Sequence, residues 1–176
     1  MKKFGQLSSK LYEQPELVFP EKSRIPFRIF KLALTQDQVE VLRILESFYS
    51  KVEKEKIVFV LTANRGRGKS SVIGIGVGWL AHRLRRAKGK CNIVVTSPSP
   101  ANVQEIFRFS RKVLEIFNHK VEVLEDEEGF IHKLTAKGID IEYVAPFEAL
   151  RTRGDLLVVD EAASIPVPLL FKLQFE

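Results

Sequence analysis

Residues 63–70, Ala-Asn-Arg-Gly-Arg-Gly-Lys-Ser, constrain this chain more than any other feature. They follow a short apolar run of β type, residues 57–61, and precede a long apolar segment. A glycine-rich turn between strand and helix is the setting of a phosphate-binding loop, where backbone N–H groups and the positive end of the helix converge on a di- or triphosphate. A lysine and a hydroxyl complete such a site, here Lys69 and Ser70. The usual pattern, G-x-x-x-x-G-K-[ST], has glycine where this chain has Ala63, but Gly66 and Gly68 still provide the special backbone angles. A plain glycine-rich turn with a solvated lysine would read the same way.

A second run narrows the choice. Leu156-Leu157-Val158-Val159 has the composition of a buried strand and ends directly in Asp160-Glu161. In an α/β sheet, ligands bind at the carboxyl ends of the strands. Asp160 is placed to hold Mg²⁺ together with Ser70, and Glu161 to orient or deprotonate the water that attacks a γ-phosphate. Taken alone, the two acids also fit a strand running into an acidic helix start.

The charge distribution points to the same region. Of 28 Lys and Arg, eight lie within 65–90, a stretch without any acid, which leaves 20 bases against 22 acids elsewhere. The whole positive excess therefore surrounds the candidate loop and the helix after it. Arg65, Arg67 and Lys69 suit a triphosphate. His82-Arg83-Leu84-Arg85-Arg86 with Lys88 and Lys90 suits either a nucleic-acid backbone or a solvated helix end. At 176 residues and 45% apolar content the chain is about one domain in size. The apolar runs are too short and too interrupted to span a bilayer, and the first residues lack a signal peptide's apolar stretch, so the expectation is a cytoplasmic protein. The single cysteine, Cys91, reads as a small core residue.

Along the chain, residues 1–33 read as an irregular arm and 34–176 as the phosphate-loop module. A helix is expected from about Thr35 to Ser50, with Thr35 as its cap, and charged residues 51–56 connect it to the strand at 57–61. The helix at 71–86 carries Gly74, Gly76 and Gly78, which imply close approach to a strand, and Trp79 reads as core. A strand at 92–96, a turn at 97–100, a helix at 101–118, a hairpin over 121–134 with an acidic tip, and a strand at 139–144 complete an α/β order. The three histidines are too scattered along the sequence to nominate a site.

Three segments together resemble a known family: 62–71, 95–103 (Val-Thr-Ser-Pro-Ser-Pro-Ala-Asn-Val) and 156–166, the last reading Asp-Glu-Ala-Ala-Ser-Ile-Pro from Asp160. They look like the helicase-type ATPase module of the tRNA(Met) cytidine acetyltransferases. The resemblance implies a RecA-like P-loop NTPase fold, a three-layer α/β sandwich with a mostly parallel sheet. It also implies ATP with Mg²⁺ as ligand and an RNA partner, tRNA, whose cytidine is acetylated at N4 from acetyl-CoA. Lys69, Asp160 and Glu161 become the catalytic set, and Ser70 and Asp160 the metal pair. Gln38, Asn64, Arg65, Gly66, Arg67, Gly68, Lys69, Ser70 and Ser71 become the nucleotide contacts. Gln38 falls where helicase-type ATPases read adenine with a glutamine, although an exposed glutamine on a helix would look the same. Thr96 and Ser97 match a loop that touches nucleic acid in helicases, or else they cap the following helix. The acetyltransferase domain and the later helicase elements have no counterpart in these residues, so the module is expected to be truncated, to lack a sheet strand after Glu176, and to work with the remaining domains of the enzyme. A nucleotide-regulated RNA-binding module without turnover, or an inactive fragment, are the alternatives.

Overall fold

The computed structural model describes residues 16–52, 57–64 and 66–175. Arg65 and most of the expected charged connection therefore lie outside the described residues, as does the first part of the arm. The rest of the arm forms a short helix, α1 (Phe27–Phe30), whose Ile29 and Phe30 are buried together with Ile25. Helix α2 (Gln36–Val52) begins where Thr35 Oγ1 accepts the Gln38 N–H at 3.3 Å, satisfying one of the free donors at a helix start.

Helix α3 (Lys69–Lys88) follows the glycine-rich loop directly. Strand β1 (Cys91–Thr96) comes next, then a 3-10 turn over Pro100–Val103 and helix α4 (Gln104–Ile116). The hairpin β2 (Glu122–Glu125) and β3 (Ile131–Ala136), strand β4 (Ile139–Tyr143), the short helix α5 (Pro146–Ala149), strand β5 (Leu156–Val159) and helix α6 (Val167–Phe175) complete the described chain. The sheet order is β2-β3-β4-β1-β5. Strand β1 runs parallel to both β4 and β5, whereas β2 with β3 and β3 with β4 are antiparallel.

Period-two alternation divides the strands between two apolar layers. Cys91, Ile93 and Val95 of β1, with Leu156 and Val158 of β5, face the larger core, which also takes Val72, Ile75, Trp79 and Ala81 of α3 and Ile106, Phe107 and Val113 of α4. Val94 and Leu157 face the opposite side, against Ala149 at the end of α5 and Leu169 and Leu173 of α6. Helices on both faces of the sheet make the three-layer α/β sandwich of a RecA-like fold. The carboxyl ends of β1, β4 and β5 share one edge, tied by Tyr143 Oη donating to Ser97 O at 3.1 Å and Asp160 N to Thr96 O at 2.9 Å. No helix among the described residues is long and apolar enough to cross a membrane.

Two expectations are overturned. The apolar run 57–61 is not a strand: residues 57–64 run irregularly, and β5 is the outer strand of the sheet. A β-type sequence becomes a strand only where a neighbour supplies hydrogen bonds, and no described strand pairs with this run. Val58 and Val60 are instead 51% and 72% exposed, while Leu61 packs on the core. The phosphate loop consequently hangs from the start of α3 rather than from a core strand.

The glycines of α3 face helices, not a strand. A Cβ on Gly74 would meet the Ile106 carbonyl at 2.6 Å, one on Gly78 the Ser110 carbonyl at 2.8 Å, both on α4, and one on Gly76 would meet Leu45 of α2. Ser110 Oγ donates to Gly74 O at 3.0 Å across the same crossing.

Candidate nucleotide site

The loop before α3 turns through two left-handed glycines, Gly66 at φ +80° and Gly68 at φ +70°. Ala63 lies outside the positive-φ region, so the position where the usual pattern has glycine makes no demand here that alanine fails to meet. Lys69 Nζ reaches back across the loop to donate to Ala63 O at 3.0 Å. The first turn of α3 holds no acid of its own, so the positive end of this 20-residue helix is left to groups from outside the helix.

Strand β5 delivers the acids to the same place. Ser70 Oγ donates to Asp160 Oδ2 at 2.8 Å, joining residues 90 positions apart. Asp160 Oδ1 accepts the Glu161 N–H at 3.0 Å, and the residue is 5% exposed. Glu161 itself adopts φ +50°, a conformation that costs a non-glycine residue on the order of 1 kcal/mol, and its side chain is exposed beside the loop edge. A hydroxyl paired with a buried carboxylate is the protein share of a Mg²⁺ site completed by phosphate oxygens and water, so these two residues fit that ion.

Gln38 approaches from α2 and is nearly buried, at 5% exposure. Its Oε1 accepts the Leu34 N–H at 2.7 Å and its Nε2 donates to Gly68 O at 3.1 Å. The structure thus brings Gln38, Gly68, Lys69, Ser70 and Asp160 together around one loop. Asn64 and Arg67 are exposed on its outer side, where Arg67 N donates to Asn64 O at 3.4 Å, and Ser71 follows within α3. Arg65 lies outside the described residues.

Other nominated groups lie elsewhere. Thr96 and Ser97 are fully buried, and Ser97 Oγ donates to Ser99 O. The cap of the following turn is Ser99, whose Oγ accepts Ala101 N at 3.3 Å, so neither Thr96 nor Ser97 serves as that cap. The basic cluster is only partly available to a partner. Lys88 pairs with Asp155 at 2.7 Å, and the Arg83 guanidinium stacks 5.2 Å from the Tyr49 ring. Although burial pushes the Asp155 carboxyl up, Lys88, the Asn92 N–H and Lys90 together hold it below the usual carboxylate range. Cys91 is buried in the core, and burial with the nearby Asp155 charge pushes its thiol up to about 12.

Two histidines that the linear sequence separates come into contact. His82 Nδ1 lies 3.0 Å from His119 Nε2, and the His82 ring stacks on Phe117 at 3.7 Å between centroids. Their spacing of 37 residues left no local signal, because the pair forms only when α3 and α4 cross. Burial, then His119 and the arginines 86, 83 and 85, depress His82 to about 4.

A family model for the helicase domain of RNA cytidine acetyltransferase NAT10/TcmA matches residues 60–175. The chain belongs to this family. The matched stretch contains every nominated residue from Asn64 to Glu161, while Gln38 lies before it. Among relatives, the tRNA(Met) cytidine acetyltransferase TmcA of Thermofilum pendens is 69% identical over 173 residues, covering 98% of this chain and 22% of that protein. TmcA of Thermococcus kodakarensis is 40% identical over 97% of this chain and 20% of its own length. TmcA of Pyrococcus furiosus is 44% identical over 92% of this chain and 19% of its own length. The chain spans about a fifth of the length of the curated relatives it matches.

Proposed function

We propose that this helicase-type domain binds ATP with Mg²⁺ and hydrolyses it to handle RNA for a tRNA cytidine acetyltransferase. The observation that supports the reading is the 2.8 Å bond from Ser70 Oγ to Asp160 Oδ2, which brings a hydroxyl at the helix start and a strand-end carboxylate together, as one shared ion would require. Lys69 would leave the Ala63 carbonyl to neutralise charge on the β- and γ-phosphates. The backbone N–H groups of Gly66 to Lys69 and the open end of α3 would cradle the phosphate oxygens. Ser70 and Asp160 would hold Mg²⁺, which when bound supplies neutralisation across the two terminal phosphates. Glu161, exposed beside that pair, would orient the attacking water and take its proton. Asn64, Arg65, Arg67 and Ser71 flank the same loop and would contact the nucleotide from its rim.

The tRNA partner and the link to acetyl transfer rest on what the relatives are named for. Acetyl-CoA chemistry would belong to the other domains of such an enzyme, which this domain would serve. Titration calorimetry with Mg·ATP tests the site. Lys69→Ala should weaken binding about 10- to 100-fold, the worth of a hydrogen bond to a charged group; equal affinity in both proteins refutes the assignment. Glu161→Gln should keep ATP bound while abolishing phosphate release, measured with and without tRNA. Hydrolysis that survives the change removes Glu161 from the mechanism, and no release by the unsubstituted protein in either condition identifies a binding module without turnover.

A further inference from the structure

We infer that Gln38 is a positioning residue that aims the Lys69 N–H into the phosphate site, and that it does not select the base of the nucleotide. The inference rests on the phosphate-site reading above and deepens it. To read adenine, a glutamine must offer its amide oxygen to the exocyclic amine and its amide N–H to the ring nitrogen at the same time. Both ends of this amide are already taken by backbone, Oε1 by the Leu34 N–H at 2.7 Å and Nε2 by the Gly68 carbonyl at 3.1 Å. Reversing the amide would set donor against donor and acceptor against acceptor, so these partners fix its orientation. One N–H and one lone pair of the amide remain uncommitted by these two bonds, but at 5% exposure the side chain offers an incoming base almost no surface.

What the amide does is visible at Gly68. The peptide unit joining Gly68 to Lys69 is planar, with its C=O and N–H pointing in opposite directions. Clamping the Gly68 carbonyl onto Gln38 on one side therefore turns the Lys69 N–H to the other. The same carbonyl also accepts Val72 N at 3.1 Å, so the first turn of α3 and the Gln38 amide grip one oxygen between them. A Cβ at position 68 would collide with Gln38 Nε2, which together with φ +70° explains glycine at this position. Through Leu34, the grip extends to the segment that enters α2.

Binding of Mg·ATP, Mg·GTP and magnesium tripolyphosphate, which has no base, tests the assignment on the whole chain, using the unsubstituted protein, Gln38→Ala and Gln38→Glu. A misdirected N–H should weaken all three ligands by the same factor, about tenfold. A loss confined to ATP, with GTP and tripolyphosphate unchanged, overturns the inference and makes Gln38 a reader of adenine. Gln38→Glu separates positioning from general destabilisation. Its carboxylate repels the Gly68 carbonyl at pH 8, whereas burial beside that carbonyl favours the neutral acid as pH falls, and the protonated form restores a donor of nearly the same shape. Tripolyphosphate affinity relative to the unsubstituted protein should therefore recover as pH falls; a ratio that stays low across the pH range overturns the inference. Unchanged binding in every Gln38 variant overturns it as well while leaving the phosphate site standing. Failure of the unsubstituted protein to bind any of the three ligands instead refutes the phosphate-site reading itself.

Discussion

Replacing Gly74 by alanine should destabilise this protein, even though alanine is the better helix former by about 1 kcal/mol. The new Cβ would stand 2.6 Å from the Ile106 carbonyl oxygen, 2.9 Å from Ile106 Cα and 2.9 Å from Phe109 Cβ. These separations fall roughly 0.6–1 Å short of van der Waals contact. Two of the three obstructing atoms are backbone of α4 and cannot rotate aside, so the helices must part. Overpacking of this kind costs about 1–3 kcal/mol, and the bond from Ser110 Oγ to Gly74 O in the same crossing is worth about 1 kcal/mol more. After the gain in propensity the net loss is about 1–3 kcal/mol, or roughly 4–8 °C in melting temperature at the middle of that range. Gly76→Ala is the internal control: its Cβ meets only the end of the Leu45 side chain, which can swing away, and its melting temperature should stay close to that of the unsubstituted protein. Thermal unfolding followed by circular dichroism measures both. If Gly74→Ala melts as high as the unsubstituted protein, the crossing of α3 and α4 is not limited by its backbones and the reasoning fails.

Two further outcomes are expected. His82, held near 4 in the fold against 6.5 in an exposed chain, binds fewer protons folded than unfolded, and His119 is lowered in the same sense, chiefly by burial. Stability should therefore fall as pH drops from 6.5 towards 4, and urea midpoints of His82→Gln should show a shallower fall over that window; an identical slope would remove the pair from the account. For RNA, Arg85→Gln combined with Arg86→Gln should weaken tRNA binding and reduce its salt dependence by up to about 1.8 in slope, roughly 0.7–0.9 for each phosphate that an arginine no longer neutralises; an unchanged slope returns both residues to a solvated helix end.

The order of elements was legible because most of its signals are local. Thr35 marks the start of α2, the acidic tip at 125–129 separates two apolar runs that pair as β2 and β3, and Leu156 to Val159 form a strand that ends in Asp160. What was not legible depends on neighbours. Residues 57–61 are an apolar run of β type but have no described partner, and composition cannot report whether one exists. The glycines of α3 announced a close approach without saying to what, since a helix and a strand demand the same missing side chain. Gln38 was singled out through a family likeness, yet its hydrogen bonds to Leu34 and Gly68 are set by how α2 meets the loop. The His82 and His119 contact likewise needed the packing of α3 on α4.

The bond from Ser70 to Asp160 closes a loop of 90 residues, and closing a flexible loop of that length costs on the order of 4 kcal/mol of chain entropy. Any ligand held jointly by the loop and the end of β5 therefore acts as a removable cross-link between distant parts of the chain. Its grip is felt by segments that never touch it, including the β2 and β3 hairpin, which lies inside the closed loop on the far side of the sheet. Occupancy of the site thus slows any amide exchange in that hairpin that proceeds through global opening, even though the ligand sits at the opposite edge.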